Sequence, residues 1–216
     1  MPNIEKMMQR IEQGRCYRDM EVRAADDAAD MIVEGYATTF EEPYLLYSEP
    51  GYKIYEVIDR GALDEADQSD VIMQYDHEGR VFARLSNNTL ELGTDAHGYK
   101  MRAMLGGTDI GRQLYQEIAG GYTTKMSWAF RVKNDDRTVE RNEETGEIVV
   151  TRRILAVSKV YDVSAVSLPA NDMTEISARS YCDGVIAELE EDRRRVEEER
   201  EMLRAKLALI KFLSEV

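Results

Sequence analysis

The chain has two histidines, His77 and His97, and they limit the kinds of catalysis that the sequence allows. Imidazole often transfers protons near neutral pH, so a mechanism with one histidine base has two candidates, and a site with three histidine ligands is excluded. His77 lies two residues after Tyr75, the last residue of the apolar segment 71–75, at the end of a predicted strand, where loops commonly carry function. His97 lies in Asp95-Ala-His-Gly, a sequence typical of a hairpin tip. His77 is therefore the favoured base.

Ser127 is the hydroxyl whose surroundings best suit a nucleophile. Alternation along residues 124–132 predicts four large apolar side chains on the core face of a strand: Met126, Trp128, Phe130 and Val132. Ser127 then lies on the opposite face, held by rigid neighbours as nucleophilic attack requires. An ordinary strand serine is the other interpretation. The pattern by itself favours it, because the chain has ten serines.

Asp162 is the only charged residue between Val160 and Ala170. A carboxylate in an apolar strand needs a hydrogen-bond or ion-pair partner. One such partner is a catalytic imidazole that the carboxylate orients, as in a Ser-His-acid arrangement. The other is a structural cation such as Arg152 or Lys159, and the pattern alone favours this second interpretation.

The remaining residues carry no signature of another enzyme class. There is no glycine-rich phosphate-binding loop and no nucleophile elbow. Cys16 and Cys182 lie near opposite ends of the chain without metal-ligand spacing, so we expect neither a zinc cluster nor a disulfide scaffold, and no cofactor. A hydrolase based on two carboxylates is disfavoured, because the acidic residues of segment 24–70 lie in polar, turn-like surroundings that give no reason for a raised pKa.

The charge and hydropathy of the chain argue against two classes of partner. The net charge of -14 would repel a polyanion, so we expect no nucleic-acid partner. Most of this surplus is local, because segment 24–70 holds thirteen acidic and two basic residues. No apolar run could cross a bilayer and the N-terminus lacks the apolar core of a secretory signal, so we expect a cytosolic protein without a membrane partner.

The sequence pattern predicts three parts that position these residues. Residues 1–30 are polar and irregular and predict a loose N-terminal arm. Residues 31–180 form the domain that contains the candidate site, and their pattern is mainly β. Residues 181–216 predict a charged C-terminal helix.

Two features of the central domain are predicted in more detail. Thr108 or Asp109 can cap a helix that Gly120-Gly121 ends. The polar stretch 133–146 separates two strands and predicts a long exposed hairpin loop.

The C-terminal helix shows the spacing of a coiled-coil seam. Steps of four and three residues connect Leu189, Arg193, Val196, Arg200, Leu203, Leu207 and Ile210. We expect a helix of about thirty residues that pairs with a partner helix or folds back on the domain. A solvated helix with intrahelical ion pairs is the alternative.

Taken together, four segments resemble the prohead maturation proteases of tailed bacteriophages, serine endopeptidases related to the herpesvirus assemblins. Each motif is weak alone, and the ordered set is more specific. In chain order they are residues 33–37 with 56–63, residues 71–77 with Arg84, residues 106–121 leading to 125–130, and residues 160–171.

The resemblance implies a fold and a set of site residues. The fold would be mainly β with flanking helices, a closed β-barrel of the assemblin type with a protruding coiled-coil-like helix. The family's histidine falls on His77, its nucleophile on Ser127 and its acid on Asp162. Arg152 and Arg153 are candidates for stabilising the oxyanion, beside backbone N–H groups and water.

The resemblance also implies a function. The protein would be a serine endopeptidase that cleaves scaffold and major capsid protein segments, and itself, during prohead maturation. It would be a homo-oligomer such as a dimer, in the host cytoplasm and inside the prohead, without a cofactor. The alternative is a non-enzymatic capsid-assembly or scaffolding module with a protease-like barrel.

Overall fold

The computed structural model describes residues 15–25, 31–167 and 172–214, and these form ten strands, two α-helices and one short 3-10 helix. The chain divides into two compact units, residues 1–178 and 179–216. The strands are β1 (Arg15–Ala24), β2 (Ile32–Thr39), β3 (Tyr44–Glu49), β4 (Tyr52–Ile58), β5 (Ile72–Tyr75), β6 (Glu78–Arg84), β7 (Leu90–Thr94), β8 (Gly98–Met104), β9 (Lys125–Arg141) and β10 (Ile148–Val166). The helices are α1 (Asp109–Ala119) and α2 (Asp172–Ser214), and the 3-10 helix spans Leu85–Asn87.

The ten strands form one hydrogen-bonded sheet that forks at β10. The main path runs β3-β4-β10-β9-β1-β2-β8-β7, and β5 and β6 form a branch. One edge of β10 pairs with β9 along most of the strand. On the other edge, the first half of β10 pairs with β4 and the second half pairs with β5. Register shifts between Ile154 and Asp162 separate the two halves.

The mainly β class is confirmed, but the closed barrel is wrong. Among the described residues the sheet path ends at β3 on one side and at β7 on the other, and no ladder joins these two strands. Closure requires every strand to pair along both edges in one consistent stagger. Because β10 gives one edge to two different strands, the sheet forks and stays open.

The predicted N-terminal arm is wrong for residues 15–24, which form β1 in the interior of the sheet. This strand lies between β9 and β2 and is antiparallel to both. Its polar sequence does not indicate an interior strand. The charge of Arg18 is acceptable there because Arg18 pairs with Glu56, which is 38 residues away in the chain.

The predicted hairpin loop at 133–146 is also wrong. Strand β9 continues through residues 133–141 and pairs with the first part of β10, so only residues 142–147 form a turn. This part of the hairpin is largely exposed, which explains a polar sequence that still forms a ladder.

The helix in the central domain is confirmed, and Thr108 is the residue that caps it. The Thr108 hydroxyl accepts a hydrogen bond from the Gly111 N–H at 3.1 Å. Leu114 and Ile118 are buried, and α1 packs against β1, β2 and β6.

The core confirms the predicted orientation of β9. Met126, Trp128 and Phe130 are fully buried in one large apolar cluster, and the Trp128 and Phe130 rings stack with centroids 3.9 Å apart. Ser127 and Ala129 consequently face the other side of the sheet, and they are buried there as well.

The second unit consists of helical residues of α2. The helix has 43 residues and is longer than the sequence predicted. Every residue from 190 to 210 is exposed. Within the described residues, no helix is both long enough and apolar enough to span a membrane.

Candidate active site

A two-residue turn carries His77. Tyr75 of β5 pairs with Glu78 of β6, so Asp76 and His77 form the whole connection between the two strands. Both have positive φ, 47° and 57°, as the tight turns that join two antiparallel strands require. Asparagine, aspartate and histidine accept this backbone more readily than other side chains do, because short polar groups relieve its strain locally.

Asp76 ties this turn to the end of β10. Its N–H donates to the Ala165 carbonyl at 2.9 Å. Its carboxylate accepts hydrogen bonds from the N–H of Ser167 at 2.9 Å and from the Ser167 hydroxyl at 3.0 Å. The hydrogen bonds of Asp76 therefore fix the position of the His77 backbone.

The His77 ring is hydrogen-bonded to Asp162. The distance between His77 Nδ1 and Asp162 Oδ1 is 2.5 Å, and both side chains are buried. An ionised carboxylate can only accept, so it assigns the proton of the neutral ring to Nδ1 and the lone pair to Nε2. A general base of the serine-protease kind needs this tautomer.

The structural alternative for Asp162 does not hold. Arg152 is paired with Asp135 and Glu56, and Lys159 is paired with Asp67. The partners of the Asp162 carboxylate are instead His77 and Ser164.

Ser164 is a member of this cluster that the sequence did not reveal. Its hydroxyl donates to Asp162 Oδ1 at 2.8 Å, and it is fully buried. Asp162 and Ser164 are two residues apart on β10, so strand alternation places them on one face. The spacing of two residues between Asp162 and Ser164 is visible in the sequence. A serine in a strand is too common, however, for this spacing to indicate a role in the site.

Ser127 lies beside this cluster on the neighbouring strand. In the β9–β10 ladder Ser127 is opposite Ser164, and Ala129 is opposite Asp162. Directly opposed residues have Cβ atoms about 5 Å apart on the same face of the sheet. The structure thus brings His77 and Asp162 into contact and places Ser127 one residue pair away from Asp162.

No hydrogen bond between Ser127 and His77 is formed in this conformation. Ser127 Oγ is buried and makes no hydrogen bond to any residue that the structure describes. His77, Asp162 and Ser164 are at most 3% exposed. A substrate can reach these groups only after the site opens, and catalytic hydrogen bonds often form only in the substrate complex.

Tyr17 packs against the imidazole. The two ring centroids are 4.7 Å apart in an edge-to-face arrangement, and Tyr17 is opposite Ala129 in the β1–β9 ladder. This apolar contact excludes water from one side of His77, which strengthens its interaction with the carboxylate. The sequence could not suggest Tyr17 because it lies in the segment predicted to be a loose arm.

His97 is not part of this cluster. It is exposed in the turn between β7 and β8, where the Asp95 carboxylate accepts the N–H groups of His97 and Gly98 at 2.8 and 3.0 Å. Its ring packs edge-to-face on Tyr36 of β2, with centroids 4.6 Å apart. His97 thus contacts a strand that carries none of the other candidates.

A comparison with protein-family models accounts for most of the chain. Residues 18–184 match the model described as Caudovirus prohead serine protease. The chain belongs to this family. The matched region contains all three candidate residues and most of β1, so the resemblance seen in the sequence is confirmed.

A search of solved structures and one of curated proteins add little to this family assignment. The structure titled "Structure of the bacteriophage T4 capsid assembly protease, gp21" is similar with 12% sequence identity and a TM-score of 0.39, over 72% of this chain and 98% of that chain. A similarity at this level carries no argument. No curated protein matches the chain significantly.

For a serine protease of this family, the two arginines considered for the oxyanion are already engaged. Arg152 binds Asp135 at 2.5 Å and Glu56 at 3.3 Å. Arg153 binds Glu41 and Asp59 at 2.6 and 2.7 Å. Neither guanidinium fits the oxyanion role, which leaves backbone N–H groups and water.

A groove lies on the same side of β1 as Ser127. Its volume is about 840 Å³. Strands β1, β2 and β8 supply most of its lining, including Glu21 and Tyr36, and His97 of the turn between β7 and β8 also lines it. Glu21 binds Lys125 at 3.0 Å. Lys125 is two residues before Ser127 and shares its face of β9, so the groove begins one residue pair from the candidate nucleophile.

Two other kinds of site find no support within the described residues. No group of three side chains among them could hold a metal ion. Cys16 and Cys182 form no disulfide, and burial raises the pKa of Cys16 despite the neighbouring arginines.

Proposed function

We propose that this protein is a serine endopeptidase that cleaves scaffold and major capsid protein segments, and its own chain, during prohead maturation. The observation that carries the proposal is the buried hydrogen bond between His77 and Asp162, on the same face as Ser127 of the next strand. The family supplies the reaction class, and this geometry supports an assignment of roles.

The chemical step is acyl transfer. Ser127 Oγ attacks the carbonyl carbon of the peptide bond while His77 Nε2 takes the hydroxyl proton, and Asp162 stabilises the imidazolium that forms. The C–N bond then breaks as His77 returns that proton to the leaving amine. A water molecule, deprotonated by His77, attacks the acyl-enzyme, and collapse of this second intermediate releases the acid and restores Ser127.

Two further groups have supporting roles in this proposal. Ser164 holds the Asp162 carboxylate by donating to the same oxygen that accepts from His77. The groove along β1 and β2 receives an extended part of the substrate, because Glu21 in its lining binds Lys125, which is two residues before Ser127 on β9.

The test is cleavage by the Ser127→Ala variant. Purified wild-type chain should process itself or co-expressed capsid protein, and Ser127→Ala should stop this with an unchanged circular dichroism spectrum. Ser158→Ala is the matched control, because Ser158 is a half-buried serine on β10 whose hydroxyl donates to the Arg131 carbonyl, away from His77 and Asp162. Cleavage that persists in Ser127→Ala would contradict the proposal.

A non-enzymatic assembly module is the second candidate. It is favoured by one observation, the burial of Ser127 and His77 without a hydrogen bond from the Ser127 hydroxyl. A serine-directed phosphonate probe distinguishes the two. Labelling mapped to Ser127, and lost in His77→Asn, supports the protease, whereas an unlabelled wild-type chain under conditions of capsid assembly supports the module.

A further inference from the structure

The exposed part of α2 carries an apolar stripe. Six large apolar side chains between residues 190 and 210 are 45–63% exposed: Val196, Met202, Leu203, Leu207, Leu209 and Ile210. Val196, Leu203, Leu207 and Ile210 are separated by seven, four and three residues, so they form one seam along the helix. A continuous exposed stripe of this kind marks an interaction surface.

The charges of this segment are divided between its two halves. Residues 187–201 contain eight acidic and four basic residues, whereas residues 202–211 contain three basic and no acidic residues. A second copy of this helix in parallel orientation would place like halves together. In antiparallel orientation each acidic half lies beside a basic half, so the helix is complementary to itself in this orientation alone.

The seam residues agree with the antiparallel arrangement. Arg193 and Arg200 occupy seam positions, and in a parallel pair each would face its own copy. In the antiparallel register that places Val196 opposite Leu207, Arg200 lies opposite Leu203. The aliphatic stem of the arginine can then cover the leucine while the guanidinium reaches water.

The flanking positions complete the pattern. The same register places Glu197 beside Arg204 and Glu199 beside Lys206, each pair occurring twice in a symmetric dimer. Glu197 already has a long contact of 3.9 Å with Arg200 in its own helix. Such exposed intrahelical pairs are weak and can exchange partners at little cost.

We propose that residues 190–210 of α2 bind the same segment of a second copy of this chain as an antiparallel coiled coil. The division of charge along the helix and the two arginines of the seam indicate that the partner is a second copy in antiparallel orientation. This inference is independent of the proposed proteolysis, because it concerns only the exposed surface of the second unit.

The first test is the oligomeric state of the full chain, measured by sedimentation equilibrium in the Ser127→Ala background so that self-cleavage cannot remove the helix. At tens of micromolar we expect a dimer, and Leu203→Glu with Leu207→Glu should give a monomer with unchanged helix content. A monomeric parent chain under these conditions would overturn the proposal.

Charge exchange tests the pairing. Glu197→Lys with Glu199→Lys, and Arg204→Glu with Lys206→Glu, should each weaken the dimer at least tenfold, and an equimolar mixture of the two should restore it. Glu191→Lys with Glu198→Lys is the matched control, because it makes the same charge change away from the seam and its flanks. Equal weakening in this control would show that net charge, and not pairing, determines association.

Disulfide trapping tests the orientation. A mixture of Val196→Cys and Leu207→Cys chains, with Cys16 and Cys182 replaced by alanine, should form the disulfide that joins positions 196 and 207. A dominant disulfide between two copies of position 196 would instead establish the parallel arrangement and overturn the proposal.

Discussion

Two buried polar clusters lie on opposite faces of the ladder formed by β1 and β9. The first, the charged cluster, consists of the buried residues Arg18, Glu56 and Arg152 together with the exposed Asp135 at its rim, and it lies on the face of Trp128. The second is the candidate site, on the face of Ser127 and Ala129. Consecutive residues of β1 belong to the two clusters, since Arg18 is in the first and Tyr17 packs on His77 in the second.

The charged cluster is saturated with partners. Arg18 binds both oxygens of Glu56 at 2.6 and 2.7 Å and also donates to the Tyr17 carbonyl at 2.6 Å. Burial alone would lower the pKa of Arg18, but the Glu56 carboxylate more than offsets this and raises it. Every charge in the cluster faces an opposite charge, so nothing in it is available to react.

The candidate site differs because its hydrogen bonds do not include Ser127, the candidate nucleophile. Asp162 has two donors, His77 and Ser164, whereas the Ser127 hydroxyl has no hydrogen-bond partner among the described residues. A buried hydroxyl without a partner is costly, and the cost is acceptable where the group has a later use. A fully paired buried cluster thus serves the fold, whereas an incompletely paired one is the better candidate for chemistry.

The largest expected effect is the loss of activity in His77→Asn. Asparagine accepts the positive φ of the turn and cannot act as a base, so we expect cleavage to fall by about 10⁴-fold without a change in fold. Initial rates of cleavage and near-ultraviolet circular dichroism measure the two parts. His97→Asn is the control. Because His97 lines the proposed substrate groove, this variant is compared at saturating substrate, where it should keep the wild-type kcat; a larger loss of kcat there than in His77→Asn would reassign the base.

The next effect is the destabilisation of Glu56→Gln. Removing the carboxylate leaves Arg18 and Arg152 buried without full compensation, so the free energy of unfolding should fall by about 3–5 kcal/mol. Urea unfolding at pH 7 measures it. Glu65→Gln removes an exposed pair with Lys133 and should leave the midpoint unchanged. If both variants behave alike, the charged cluster does not stabilise the fold.

A smaller effect is expected for Ser164→Ala. Loss of the donor to Asp162 should lower kcat about tenfold, as expected for one hydrogen bond to a charged group, and leave KM unchanged. Without this donor the carboxylate is held less firmly in the orientation that positions the imidazole, so the loss should appear in kcat. An unchanged kcat with a lower melting temperature would show that Ser164 acts only in packing.

The smallest effect concerns acid stability at Arg153. Its guanidinium lowers the pKa of Glu41, and the Gly61 N–H together with Arg153 lowers the pKa of Asp59. Carboxyls with a lowered pKa contribute stability above their ordinary pKa and lose it as the pH falls through the folded value. Because these side chains are 30–39% exposed, Arg153→Ala should cost less than about 1 kcal/mol at pH 7, and a smaller amount at pH 2. Urea unfolding at both pH values measures it, and an equal loss at pH 2 would contradict the pairing.

The parts of the fold that the sequence predicted are those set by local pattern. The cap of α1 at Thr108 and the core face around Trp128 depend on residues within a few positions of each other. Strand β1 could not be predicted, because the partner that makes Arg18 acceptable in a buried strand is on β4. The fork at β10 depends in the same way on two distant strands that share one edge.

The same distinction between local pattern and distant contacts applies to the residues of the candidate site. His77 and Asp162 were available from the sequence because each stands out in its own segment. Ser164 and Tyr17 were not, because a serine in a strand and a tyrosine in a polar segment acquire a role only when three strands bring them to one face.

The two-residue turn at Asp76 and His77 has a consequence for how this fold can lose its activity. Only a few residue types accept the left-handed backbone there, chiefly glycine, asparagine, aspartate and histidine. Histidine alone among them titrates near neutrality. Substitution at this position would therefore replace the proposed base with a residue that keeps the turn intact, so relatives that have become inactive should retain the whole architecture and carry asparagine, aspartate or glycine at this one place.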